Sequence, residues 1–180
     1  MLYNIKKIKM LFLNIPKDID IKIGKNWIKF VGPLGQVTKK KSKDIKLYFS
    51  KTQQKLYLLN KDNKNNHFYL SMINNIIWGI SKGYLSKLQI IGVGYKAQVD
   101  KDNLILRLGY SHEVYYKIPK NIKITVLQQK ILTLVVFGNN YQQVKQTAAE
   151  IRSLKSPEPY KGKGIRFLNE IVKQKKGKKN

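Results

Sequence analysis

Tyr69-Leu-Ser-Met-Ile-Asn-Asn-Ile-Ile-Trp-Gly-Ile80 sets Tyr69, Met72, Ile73, Ile76, Ile77 and Ile80 three and four residues apart, the spacing that gathers side chains on one face of an α-helix. The Asn-rich Asn63, Asn65 and Asn66 lead into this helix and Gly83 closes it, as turn and cap residues do. What precedes it reads differently. Residues 19–23, 27–31, 45–49 and 55–59 alternate apolar and polar side chains between clusters of Gly, Pro, Asn or Lys, the pattern of half-buried strands. Strand-like sequence therefore begins by Ile19.

The same order then starts again. Residues 88–91, 95–99, 104–108, 114–118, 122–126 and 131–137 read as strands, and a second helix follows with Tyr141, Val144, Ala148 and Ile151 on its apolar face. Asn140, with Gln143 three residues on, resembles a capping box. When the halves are overlaid, Asp44-Ile-Lys-Leu47 lies opposite Asn121-Ile-Lys-Ile124 and Gln53-Gln-Lys-Leu56 lies opposite Gln128-Gln-Lys-Ile131. The helices fall in register, so the chain carries an internal repeat of about 75 residues. Each repeat has several strands and one helix, which can cover only one face of a small antiparallel or mixed sheet. The expected fold is α+β: two tandem, similar domains at residues 1–82 and 83–180, each a sheet covered on one face by a single helix.

Composition bounds the function. The 180 residues are 42% hydrophobic and 11% aromatic, enough for one good core or two small ones. With 36 basic and 10 acidic residues the net charge is +26, a self-repulsion that a polyanionic partner would relieve. The absence of cysteine excludes disulfides, thiolate metal sites, iron–sulfur clusters and a cysteine nucleophile. The basic residues are nearly all lysine, and Ile, Asn and Tyr are abundant, the usage of an AT-rich genome, whether of an organelle (a mitochondrion ahead of a plastid) or of an AT-rich bacterium. No apolar run approaches the roughly 20 residues of a membrane span. The amino terminus, through Pro16, lacks the pattern of a secretory signal, and the early strands leave little room for a removable transit peptide.

Catalytic and metal motifs fail on context. Gly92-Val-Gly94-Tyr-Lys-Ala97 is a short form of the dinucleotide fingerprint, but a strand rather than a helix follows it; close backbone approach at a strand bend is the better role for its glycines. His67 and His112 sit in different repeats without metal-ligand spacing. His112 and Glu113 are neighbours whose side chains point to opposite faces, and Asp100-Lys-Asp102-Asn103 has the composition of a hairpin turn. The reading is of a protein with no catalytic residues, no metal, no cofactor and no small-molecule substrate.

Ser156-Pro-Glu-Pro-Tyr-Lys-Gly-Lys-Gly-Ile-Arg-Phe167 differs in kind. Prolines stiffen it, Gly162 and Gly164 strip side chains so that backbone amides can approach an anion, and Lys161, Lys163 and Arg166 alternate with Tyr160 and Phe167. Cation, aromatic and bare backbone together suit sugar–phosphate and unpaired bases. Lys39-Lys-Lys-Ser-Lys43 reads as a basic loop of the first repeat. Gln174-Lys-Lys-Gly-Lys-Lys179 reads as a tail ordered only by a partner.

Gly32-Pro-Leu-Gly35, Gly92-Val-Gly-Tyr-Lys-Ala97, Leu108-Gly-Tyr-Ser-His112, Ala148-Ala-Glu-Ile-Arg152 and Pro157-Glu-Pro-Tyr-Lys-Gly-Lys-Gly-Ile-Arg166 together resemble the motifs of the universal large-subunit ribosomal protein six (L-six) family, of bacterial and organellar type. The resemblance implies a duplicated sheet-plus-helix architecture and a structural role in the large ribosomal subunit, with the carboxy-terminal domain gripping ribosomal RNA near the sarcin–ricin loop and the factor-binding region. Its implied partners are that RNA, neighbouring ribosomal proteins and translation factors in the vicinity, with no membrane. Carried onto matching positions, the implied RNA-facing residues are Gly94, Tyr95, Lys96, Tyr110, Ser111, His112, Arg152, Lys155, Tyr160, Lys161, Gly162, Lys163, Gly164 and Arg166. Glu113 stands where the family usually has proline, Trp78 where it usually has a small or basic residue, and Lys96 and Lys155 where arginine is frequent; lysine keeps the charge and gives up bidentate geometry. A basic DNA-binding or nucleoid-packaging protein is the alternative, although a recognition-helix pattern is missing.

Overall fold

The computed structural model describes residues 11–41, 45–60, 66–128 and 130–175. The chain divides into two units, Met1–Gly83 and Tyr84–Asn180.

In the first unit, β1 (Leu11–Asn14), β2 (Asp20–Ile23), β3 (Trp27–Gly32), β4 (Gly35–Lys40), β5 (Ile45–Ser50) and β6 (Lys55–Asn60) precede α1 (Asn66–Ser81). In the second, β7 (Tyr84–Ile91), β8 (Lys96–Asp100), β9 (Asn103–Arg107), β10 (Val114–Lys117), β11 (Ile122–Gln128) and β12 (Leu132–Gly138) precede α2 (Tyr141–Ser153), and β13 (Gly164–Phe167) follows. The strands pair as β1-β6-β5 and β2-β3-β4 in one unit, and as β7-β12-β11 and β8-β9-β10 in the other. The second unit then adds β13 on the free side of β7. The fold is α+β with the same strand order used twice, and every pairing among the described residues is antiparallel.

Three strands are absent from the sequence reading, and each unit holds two sheets where one is expected. β1 breaks the apolar–polar alternation because its outward residue, Phe12, is itself aromatic. β4 buries almost nothing, Val37 alone being half-buried, so an edge strand reads as a polar loop. Lys39 and Lys40 accordingly belong to a strand; residues 42 and 43 of that basic cluster lie outside the described residues. β13 hides behind its glycine and arginine, yet its Ile165 is fully buried.

α1 buries Ile73, Ile77 and Ile80 against Phe30, Leu56 and Leu58, with Tyr69, Met72 and Ile76 partly buried beside them. The turn Gly32-Pro-Leu-Gly35 docks on the end of this helix: Leu34 N–H donates to the Ile80 carbonyl at 3.0 Å, and a Cβ on Gly32 would lie 3.1 Å from that oxygen. Gly83, at φ +80°, donates to the Trp78 carbonyl at 3.1 Å and terminates the helix. Residues 63–65, read as the lead into α1, lie outside the described residues, as do Asp44 and Gln129 of the overlaid segments and residues 1–10 of the amino terminus.

α2 packs on β7, β12 and β13. Val144, Ala148 and Ile151 are buried with Leu88, Leu134, Val136 and Ile165, whereas Tyr141 is half exposed against Tyr84. Asn140 caps α2 by accepting the Gln142 N–H at 3.0 Å, one position earlier than a capping box would place the bond. The Tyr116 hydroxyl donates to Glu150 and ties β10 to this helix. Burial, followed by that hydrogen bond, pushes the Tyr116 pKa up to about 12.

Candidate nucleic-acid interface

Two glycine turns and the end of α2 build the site in the second unit. Between β7 and β8, Gly92 is the place where the chain folds over the Tyr95 ring, since a Cβ there would lie 2.5 Å from it. Gly109, after β9, closes on the same ring: its Cβ would lie 3.1 Å away, and its φ of +72° suits glycine. Tyr95 is thus a half-buried wedge joining two of the sequence motifs. Gly94, at φ +75°, and Lys96 are exposed at the rim, and no helix follows the glycines, so the nucleotide-fingerprint reading has no structural counterpart.

Next along the chain, Tyr110 is held at both ends. Its hydroxyl donates to the Leu154 carbonyl at 3.1 Å, Lys155 Nζ lies 4.0 Å over its ring, and His112 stacks on it with centroids 6.1 Å apart and planes 18° apart. Ser111 and His112 are exposed. The motif after β9 and the segment after α2 are therefore joined through one aromatic side chain. Glu113 turns away and accepts from Arg107 Nη2 at 2.7 Å and from the Tyr115 hydroxyl at 3.2 Å. The Arg107 hydrogen bond, with that from Tyr115, holds the Glu113 carboxyl below its ordinary value. Asp100 and Asn103 bound a tight β8–β9 turn centred on Lys101 and Asp102.

From Lys155 the chain makes a closed loop back to β13. Glu158 N–H donates to the Lys163 carbonyl at 2.8 Å, Gly162 N–H to the Glu158 carbonyl at 3.0 Å, and Ile165 N–H to the Lys155 carbonyl at 2.8 Å. This corrects the role read for the two glycines. Gly162 is buried at φ +67° with its amide already used, and Gly164 is buried at φ +138° where a Cβ would lie 2.7 Å from the Ser156 carbonyl oxygen. They shape the loop from within, while Tyr160 and Lys161 stand out from it and Lys163 is half-buried. Neither lysine has an ion-pair partner among the described residues.

Two cations read as RNA-facing have partners inside the fold. Arg152 grips Glu170 in a bidentate fork along one guanidinium edge, Nε to Oε2 at 2.8 Å and Nη2 to Oε1, and Glu170 also accepts the Phe167 N–H at 3.0 Å. The Arg152 guanidinium is the main cause that holds the Glu170 carboxyl below its ordinary value, and the same pairing raises Arg152. Arg166 donates from Nε to Gln89 Oε1 at 3.2 Å across the β13–β7 pair. Sequence reasoning missed Glu170 because its partner lies 18 positions back. It also misread the start of the tail: Lys175 N–H donates to the Pro159 carbonyl at 2.8 Å and Gln174 covers Gly162. Residues 176–179 lie outside the described residues.

Residues 91–167 match the family model described as ribosomal protein L6. All the candidate residues fall within that segment. The large ribosomal subunit protein uL6m of Reclinomonas americana is 37% identical over 179 residues, covering 93% of this chain and 95% of that protein. The large ribosomal subunit protein uL6 of Thermotoga neapolitana is 36% identical over 177 residues, covering 93% and 95%. That of Bradyrhizobium diazoefficiens is 38% identical over 168 residues, covering 92% and 94%.

Proposed function

The chain belongs to the ribosomal protein L6 family, as a structural constituent of the large ribosomal subunit and not an enzyme, and we propose that its second unit grips large-subunit RNA near the sarcin–ricin loop, beside the translation-factor-binding region. The observation that carries this reading is the Tyr110 cluster: an exposed aromatic pair with an ammonium group above it, fixed to the backbone at Leu154. The loop carrying Tyr160, Lys161 and Lys163 begins there. Lys96, Lys155, Lys161 and Lys163 neutralise phosphates, while Tyr110, His112 and Tyr160 offer ring faces to unpaired bases. Gly94 and Ser111 allow close approach. Tyr95, Arg152, Gly162, Gly164 and Arg166 hold these groups in place.

Neighbouring ribosomal proteins and bound translation factors complete the surroundings of this end of the molecule. Relatives of equal similarity include the uL6m protein and bacterial uL6 proteins, so an organellar address, mitochondrial ahead of plastid, rests on composition alone. Sedimentation after nuclease treatment tests the class of particle. A ribosomal constituent travels with large subunits, and a nucleoid protein does not.

Binding of the full chain to a large-subunit RNA fragment tests the mechanism. If about 6–10 phosphates are contacted, affinity falls by roughly three to five decades between about 50 and 200 mM salt. A flat dependence contradicts the reading. Replacing Lys161 and Lys163 with Ala lowers the salt slope by about two, one per phosphate contact.

A further inference from the structure

The first unit carries a feature that the second lacks. On the outer face of β1-β6-β5, Phe12, Tyr57 and Tyr48 are direct cross-strand partners and form one row across all three strands. Their rings lie 6.5 Å and 6.3 Å apart, tilted by 49° and 34°. Phe12 is 55% exposed and Tyr48 64% exposed, with Tyr57 half-buried between them. Large apolar rings on a sheet face call for an occupant, because water is a poor neighbour for them.

The chemistry around the row selects the class of occupant. Lys55 lies in the next row, between Asn14 and Ser50, with its Nζ 5.0 Å from the centre of the Phe12 ring. Lys46 stands in the row on the other side, opposite Leu59. No acidic residue occurs in β1, β5 or β6. Aromatic faces flanked on both sides by ammonium groups, on an open antiparallel sheet, match what unpaired nucleotides require: rings for bases and cations for the phosphates between them. An acidic or apolar protein surface would leave either the rings or the lysines unmatched. The corresponding row of the second unit is Lys87, Val135 and Thr125, so the repeat supplies its own comparison.

We infer that the outer face of β1-β6-β5 is a stacking platform for an unpaired RNA segment, a second RNA contact separate from the Tyr110 cluster. The inference rests on the reading of the chain as an RNA-bound constituent of the ribosome, and it assigns the first unit a partner.

The probe is a single-stranded oligonucleotide of about a dozen nucleotides, sized to one sheet face, titrated against the full chain. Tyr48→Ala weakens binding about tenfold and Phe12→Ala by a similar factor, whereas Tyr48→Phe, which keeps the ring, binds as the parent does. Lys161→Ala with Lys163→Ala leaves most of this binding intact while weakening binding to the structured large-subunit fragment, which separates failure of the platform from failure of the first site. Equal affinity of the parent and the Tyr48→Ala, Phe12→Ala double variant overturns the inference. A photo-crosslinker placed at residue 48 in assembled subunits gives a second reading. A nuclease-sensitive adduct supports the platform; an adduct to another protein, or to residues 1–10 of the same chain, overturns it.

Discussion

The two units use one strand order and differ by a strand. β7-β12-β11 repeats β1-β6-β5, and β8-β9-β10 repeats β2-β3-β4, but only the second unit continues past its helix to lay β13 along β7. That addition has a local consequence. It pins the segment from Lys155 to Lys163 at both ends, through Ile165 in the core and through the backbone bonds that close the loop. The first unit has no such strand among its described residues; it carries instead an aromatic row on a face that its helix does not cover. A duplicated scaffold thus acquires a site in two ways, by adding an element or by changing the exposed face of one already present.

The comparison breaks first at Ile165. Ile165→Ala removes a fully buried side chain that joins β13 to α2 and β7, and destabilises the second unit by about 2–5 kcal/mol. Both tryptophans, Trp27 and Trp78, belong to the first unit, so their fluorescence reports that unit while circular dichroism reports both. In denaturant titrations the dichroism transition moves to lower denaturant and the fluorescence transition does not. A matching shift of both would show that the units do not unfold separately. Gly164→Ala comes next: a backbone at φ +138° and a carbonyl 2.7 Å from the new Cβ make it destabilising by roughly 1–3 kcal/mol. Loosening of the 155–163 loop in hydrogen exchange, without change at α1, is the expected signature.

A smaller effect sharpens the same contrast by pH. The Glu170 carboxyl is held below its ordinary value chiefly by Arg152. Its contribution is therefore fully present above the unfolded carboxyl pKa, near ~4.3, and is lost as pH falls through the lower folded value. Glu170→Gln destabilises the second unit at neutral pH by an amount of order 1 kcal/mol or less, since the pair is partly solvated. Parent and variant converge in acid, and a difference that persists there contradicts the assignment.

How far these features can be read from sequence follows from what each residue has to contrast with. The helices are legible because Ile73, Ile77 and Ile80, and Val144, Ala148 and Ile151, recur against polar neighbours. The repeat is legible because β5 and β6 keep the period of β11 and β12 and start equally far apart, although the strand pairing, which makes Val135 the counterpart of Tyr57, moves Gln53–Leu56 three residues along from the Gln128–Ile131 on which it is overlaid. β13 is not, because only Ile165 contrasts with its surroundings and the flanking glycines signal a turn. Tyr110 and Lys155 are visible as residues of interest, but not as contacts, since 45 positions separate them and only the fold brings ammonium and ring together. Arg152 shows the converse: the resemblance gives it as RNA-facing, and only the fold reveals that a carboxylate from beyond β13 lies in its fork.

Competition between the parent chain and a chain with Lys155, Lys161 and Lys163 all replaced by Ala, for incorporation into large subunits, bears most directly on the second unit as the RNA grip. These three side chains carry no ion pair among the described residues, so the variant keeps its fold by circular dichroism. The account predicts that the variant is strongly depleted from assembled subunits relative to the parent. Incorporation in equal proportion, by a chain folded as the parent is, would contradict it.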